Sequence, residues 1–206
     1  MSTNKKTQDV AILGMFSAIT IVLQLISYMV KIGTFSLSLV LIPIVLVAVM
    51  YGPKYGAIIG AVFGAITAIG TTTQALDPGG SMLFQASPAL TVLVCFVKGV
   101  LTGFVAGLVA KPLKSKNIYL AVILAAVIAP IVNTGVFVLC MFAFFYDILT
   151  VWATDWFLKN GIESANLVYY TILGLTGINF IIEFTINLVF SPAILRVTKA
   201  FSKNKV

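Results

Sequence analysis

The sequence predicts an all-α membrane protein: six transmembrane helices forming one integral membrane domain over residues 1–206, with both termini on the same side. Three observations predict it. Of the 206 residues, 60% are hydrophobic and 9% charged, against about a quarter charged and just under half apolar in an ordinary soluble domain. The apolar residues gather into runs near the roughly 20 residues a helix needs to cross a hydrocarbon core about 30 Å thick. The charges fall largely between those runs, with a bias to one side.

The first span covers residues 9–30. Lys5 and Lys6 precede it, but the apolar run is too long for a cleaved signal peptide and no small-residue cleavage site follows, so it reads as a retained span. The second covers 35–51 and the third 53–70, the latter opening on Pro53, which suits a first helical turn. The fourth, fifth and sixth cover 87–110, 118–146 and 167–197. Spans five and six exceed the bilayer requirement and are expected to tilt or project into water. Residues 71–86 form a connection with a turn at Asp77, Pro78, Gly79 and Gly80. A second connection, 147–166, carries Trp152 and Trp156, which read either as interfacial anchors or as a lid over a pocket.

Thirteen Lys and Arg against six Asp and Glu give a net charge of +7. Lys5, Lys6, Lys54, Lys111, Lys114, Lys116, Arg196, Lys199, Lys203 and Lys205 fall on the side of the termini, whereas Lys31 and Lys159 fall on the other. That bias predicts a cell-membrane protein with both termini cytoplasmic, and a basic surface that meets the lipid bilayer and its anionic headgroups, not nucleic acid. The chain has no histidine, and its two cysteines, Cys95 and Cys140, lie in apolar runs. Common zinc sites and histidine triads are thereby excluded, and neither a metal nor a cofactor is expected. There is no G-x-x-x-x-G-K-[ST] loop, no H-E-x-x-H, no G-x-S-x-G and no intramembrane aspartate pair. We expect no catalytic residue and no ATPase site in this chain. An enzyme using Glu183 or Asp147 as acid or base is the alternative, and requires a carboxylate facing a water-filled cavity.

Gly52, Gly56, Gly60 and Gly64 recur every four residues, with Ala57, Ala61 and Ala65 beside them, and Gly99, Gly103 and Gly107 repeat the spacing in span four. Such a stripe lets another backbone approach closely, within the chain's own bundle or on a partner protein. Ala11, Gly14 and Ala18 make a shorter version in span one.

Two charges lie inside spans, where burying charge costs at least a few kcal/mol and marks a functional candidate. Lys98 precedes Lys111 by 13 residues and Glu183 precedes Arg196 by 13. Both therefore lie about 20 Å from the basic end and are placed to form an ion pair or to contact a polar ligand. Asn133 and Thr134 follow Pro130, which frees a backbone carbonyl near them. Thr176, Asn179, Glu183 and Asn187 share one face of span six, Gln85 and Ser87 lie at the mouth of span four, and Gln24 lies in the outer half of span one. Phe137, Phe142, Phe144, Phe145 and Tyr146 offer apolar walls, so the pattern favours a ligand pocket built from spans four to six on the outer side.

The segment FSLSLVLIPIVLVAVMYGPKYGAIIGAVFGA (35–65), LTVLVCFVKGVLTGFVAGLVAKPLK in span four and APIVNTGVF in span five resemble S components, the substrate-binding subunits of energy-coupling factor (ECF) transporters. The resemblance covers essentially the whole chain. It implies a six-helix S-component-like bundle that binds a small-molecule vitamin near the outer surface, between the loop joining spans one and two and spans four to six. It also implies a transmembrane coupling subunit (EcfT) and two cytoplasmic ATPases as partners, with delivery by toppling of the S component in the bilayer. The family's A-x-x-x-A docking motif of span one is matched by Gly14 and Ala18, so Ala11, Gly14, Ala18, Gly56, Gly60 and Gly64 are the expected docking residues. The expected ligand residues are Lys31, Ser36, Gln85, Lys98, Asn133, Thr134, Asn179 and Glu183. Riboflavin-type members carry an aspartate where this chain has Ser36 and Ser38, and a lysine where it has Ile182 and Glu183. APIVNTGVF is more similar to pantothenate-type members, and Lys31 or Lys98 would neutralise a carboxylate ligand. The resemblance thus implies pantothenate first, with riboflavin and folate as alternatives. A membrane assembly protein without a ligand is the competing reading from outside the family.

Overall fold

The structure is a computed structural model and describes residues 5–32, 35–36, 38–162 and 166–203. In chain order the elements are α1 (Lys5–Ser27), β1 (Lys31–Ile32), β2 (Phe35–Ser36), α2 (Leu41–Tyr51), α3 (Pro53–Gly70), α4 (Pro78–Ala86), α5 (Pro88–Lys114), α6 (Ile118–Phe144), α7 (Tyr146–Lys159) and α8 (Leu167–Tyr169). α8 continues through a π-helical segment, Tyr170–Gly177, into α9 (Ile178–Lys203). Thr7–Ser27, Pro53–Gly70, Pro88–Lys114, Ile118–Phe144 and Leu167–Ala200 are long and apolar enough to cross a membrane, and α2 is a shorter apolar helix. The fold is an all-α membrane bundle.

The second span differs from its sequence reading. The chain from Phe35 begins as a strand, with Lys31 opposite Ser36 and Ile32 opposite Phe35, and the helix starts at Leu41. Residues 35–39 read Phe-Ser-Leu-Ser-Leu, a two-residue alternation that suits a strand and not a helix. The remaining 11 residues of α2 reach about 16 Å, half a bilayer core. α2 is apolar on all sides, so it is buried instead of facing lipid. Val45, Ala48 and Val49 pack against Ala106 and Ala110 of α5, Ala121, Ala125 and Ala129 of α6, and Ile194 of α9. This core fills the half of the bundle nearer the termini.

Both long connections contain helices. α4 begins on Pro78, with the Asp77 side chain accepting a hydrogen bond from Gly80 N at 3.1 Å as its N-cap. α6 stops at Phe144 instead of running to Tyr146, because Phe145 leaves the helical region (φ −130°, ψ 32°) and α7 starts at the next residue. Trp156 of α7 lies 5.8 Å from the Tyr170 ring and 5.2 Å from Phe157. Trp152 and Trp156 pack against a cluster that includes Leu83, Met141, Leu149 and Tyr170. α7 therefore braces the start of the last long helix.

α3 and α5 meet backbone to backbone. A methyl group on Gly56 would collide with the Gly103 carbonyl, one on Gly60 with the Gly99 carbonyl, and one on Gly64 would lie 2.6 Å from Cys95 O. The seam is reciprocal, since methyls on Gly99 and Gly103 would strike the carbonyls of Gly60 and Gly56. Gly56, Gly60 and Gly64 are buried here within the chain. The expectation that these three face a partner protein is corrected: α5 occupies that face.

Candidate functional site

Helix ends and mid-helix polar residues converge in the half of the bundle away from the termini. α1 ends there with Gln24 and the following Tyr28, α2 begins there after Ser38, and α3 ends there with Thr67. Lys98 of α5, Asn133, Thr134 and Phe137 of α6, and Leu175, Thr176, Asn179 and Glu183 of the last long helix complete the wall with Asp77. Together they line one cavity in which polar groups converge between apolar walls, the pattern of a small-molecule site.

Local structure explains how the last helix reaches it. The π-helical segment widens the turn, and the Thr176 hydroxyl donates to the carbonyl five residues back, Thr171 O, at 2.8 Å. Wide turns of this kind recur at functional sites because they shift the phase of the following residues. On α6, Pro130 lacks an N–H and so leaves the Ala126 carbonyl without its helical donor one turn below Asn133. On the α1 side, the Tyr28 hydroxyl donates to Ile66 O at 2.9 Å, in space that exists because Gly70 has no side chain.

The polar groups divide into those already engaged and those left open. Glu183 is engaged: Oε1 accepts from the Ser38 backbone N–H at 3.0 Å and Oε2 from Asn133 Nδ2 at 3.3 Å. Asn187 Nδ2 donates to the Glu183 carbonyl at 2.8 Å. Asp77 caps α4. Lys98 makes no ion pair with Glu183, which corrects the bridge expected from their equal depth. Its Nζ stands 5.4 Å from the Phe63 ring centre and 5.7 Å from that of Phe137, close enough for cation–π attraction. Gln24 Oε1, Asn133 Oδ1 and Asn179 Oδ1 are buried with no hydrogen-bond partner. A buried polar atom left unpaired costs about 1–3 kcal/mol, so three such acceptors on one cavity are a place for an incoming molecule's donors.

Of the expected ligand residues, Lys98, Asn133, Thr134, Asn179 and Glu183 come together on this cavity. Gln85 does not: it is exposed, in an open groove with Met82, Asp147 and Trp152. Lys31 and Ser36 are paired across the hairpin backbone, and their side chains lie outside the described residues. Of the proposed aromatic walls Phe137 lines the cavity, whereas Phe145 is buried in the cluster around Leu149, and Phe144 and Tyr146 are exposed. The two tryptophans pack beside the cavity and do not line it.

The pocket also draws on spans one and three. Tyr28, Thr67 and Asp77 were missed, and Gln24 was noted without a role. One signal was available: Gln24 and Tyr28 are four residues apart at the end of a long apolar helix, hence on one face. Of the docking candidates in α1, Ala11, Gly14 and Ala18 are exposed, and nothing lies within 4 Å of a methyl built on Gly14.

A bundle of apolar helices whose half away from the termini holds an acceptor-rich cavity is that of a multi-pass membrane protein with a place for a small molecule. A family model described as ECF transporter, substrate-specific component matches residues 8–195. The chain belongs to that family, as its substrate-binding subunit. Among curated proteins none matches. Membership makes it a transport subunit and not an enzyme, and implies partnership with the coupling subunit EcfT and with ATPases. The assembly-protein and intramembrane-enzyme readings are set aside on that ground.

Proposed function

We propose that the chain captures a water-soluble vitamin at the cell surface, with pantothenate as the substrate its cavity suits best, and delivers it by toppling against EcfT under the drive of two cytoplasmic ATPases. The observation that carries this reading is the division of the cavity wall into engaged and open groups. Both acids on the wall already accept hydrogen bonds. The Lys98 ammonium stands beside the Phe63 and Phe137 rings and makes no direct ion pair among the described residues, although Asp77 and Glu183 share its cavity; it is the cation on this wall that a carboxylate ligand would meet. The open carbonyl oxygens of Gln24, Asn133 and Asn179 match a ligand with several O–H and N–H donors. Pantothenate carries one carboxylate, two hydroxyls and one amide N–H. Riboflavin and folate remain the alternatives, and their larger rings would need more of the cavity's apolar wall.

The exposed small residues Ala11, Gly14 and Ala18 of α1 are the proposed contact with EcfT, and the basic end with the termini is the proposed cytoplasmic end. The test is to purify the chain in detergent, identify any co-purified small molecule by mass spectrometry, and measure thermal stabilisation by pantothenate, riboflavin and folate. A ligand at 100 times its Kd adds about 2.7 kcal/mol, a readily measured rise in Tm. Stabilisation by pantothenate alone is expected. Stabilisation by another vitamin only would replace the substrate, and no stabilisation with no co-purified molecule would remove the binding reading.

A further inference from the structure

A second, smaller cavity lies between α3, α4 and α5. Thr67, Asp77, Lys98 and Phe137 line both it and the main cavity, so the two share a wall and Lys98 stands at their junction. The character of the second space differs. Its own walls are Leu83 of α4 and Val94 and Cys95 of α5, all buried. It contains one unanswered polar atom: Thr91 is 2% exposed, lines this space, and its hydroxyl has no hydrogen-bond partner. A threonine in a helix interior ordinarily returns its hydroxyl to the carbonyl one turn back, as Thr102 does to Lys98 O at 2.6 Å. Thr91, in the first turn of α5, leaves that bond unmade while lining the cavity.

Resting on the reading of the main cavity as the substrate site, we infer that this second space is an annex of it, and that the substrate has two parts. A flexible, donor-rich part with an anionic end occupies the main cavity. A compact and largely apolar group, a branched alkyl or a small ring with a single polar atom, enters the annex and hydrogen-bonds Thr91. Specificity within the family's range of small molecules then depends on Thr91, Leu83 and Val94, which no direct reading of the polar residues singles out. The two demands on the ligand are separable: Lys98 selects charge and the annex selects shape.

The test has two arms. In the first, Thr91→Val replaces the hydroxyl by a methyl of nearly equal size. The empty variant should be at least as thermostable as the parent, because an unsatisfied buried hydroxyl is gone, while pantothenate affinity by calorimetry falls about tenfold. Unchanged affinity overturns the annex, as does a loss of affinity accompanied by an equal loss of stability in the empty chain, since that marks a structural role. In the second arm Cys95, which lines the annex, is the reporter in a Cys140→Ser background in lipid nanodiscs. Methyl methanethiosulfonate transfers its methylthio group to the Cys95 sulfur and releases methanesulfinate, with the thiol proton passing to solvent. Cys95 should react in the folded chain, and the molecule co-purified with the chain should slow the reaction about tenfold. A Cys95 that reacts after unfolding and not before overturns the proposal, as does labelling unaffected by a bound ligand. If pantothenate fails to bind the parent chain, the substrate named above is wrong, and the second arm still decides the annex.

Discussion

Glu183 and Ser38 are 145 residues apart, and the Glu183 carboxylate accepts the Ser38 backbone N–H at 3.0 Å. With Asn133 on its other oxygen, one side chain ties the approach to α2 to both α6 and α9. Glu183→Ala would leave the Ser38 N–H and the Asn133 amide unpaired in a buried place, at about 1–3 kcal/mol each, and Tm should fall by several degrees. Glu183→Gln is the informative comparison. Its amide keeps an acceptor for Ser38 and gives a donor that Asn133 satisfies by turning its own oxygen inward. Stability is then nearly kept, but the Asn133 oxygen is no longer open to ligand, and affinity should fall about tenfold. An E183Q chain that binds as well as the parent would remove Asn133 from the ligand's contacts.

Lys98→Met keeps an apolar stem of similar length and deletes the charge that stands near the Phe63 and Phe137 rings. A charge-assisted hydrogen bond contributes about 1.5–3 kcal/mol, so pantothenate affinity should drop roughly ten- to a hundredfold. The alcohol analogue of pantothenate, which has no carboxylate, should bind parent and variant equally. Equal losses for both probes would show that Lys98 shapes the cavity without reading charge.

Gly60→Val places a side chain on the Gly99 carbonyl. Overpacking of a core typically costs about 1–3 kcal/mol, and a backbone collision belongs at or above the top of that range. The expected outcome in a detergent unfolding assay is loss of most of the folded population. A normal Tm for this variant would mean that α3 and α5 are not in contact.

Gly14→Leu is the counterpart. Nothing lies within 4 Å of a methyl at this exposed position, so Tm and ligand affinity should match the parent. Association with EcfT, measured by co-purification, should be lost if the small face of α1 is the docking surface. Retained association would place docking elsewhere.

Residue by residue, the fold was legible where one physical rule acted alone. α3 opens on Pro53 and closes on Gly70, where the sequence reading placed it, because proline and glycine act locally on the backbone. The second span was misread because hydropathy counts residues 35–39 toward a span and takes no notice of their two-residue alternation. The glycine stripe was visible, but a spacing of four says that a backbone approaches and does not say whose. At the site, Asn133, Asn179, Glu183 and Lys98 stood out because polar groups inside apolar helices are costly. Tyr28, Thr67 and Asp77 did not, since they lie near helix ends where polar residues are ordinary, and tertiary packing alone turns them inward. The expected Lys98 and Glu183 pair failed for a related reason: equal depth fixes height along the bundle and leaves rotation about each helix free.

The seam between α3 and α5 has a mechanical consequence. Turning α3 about its axis by one residue, a screw of about 100° with a rise of about 1.5 Å, would bring Ala57, Ala61 and Ala65 where Gly56, Gly60 and Gly64 now meet the carbonyls of α5, and three methyl groups would jam at once. The pair thus resists rotation of either helix against the other. Thr67 rides on one of these helices and Lys98 on the other, so their separation behaves as a fixed gauge between the two chambers. Any deformation that admits or releases cargo must fall on the joints around that rigid pair, at the hairpin before α2 and the wide turn before α9.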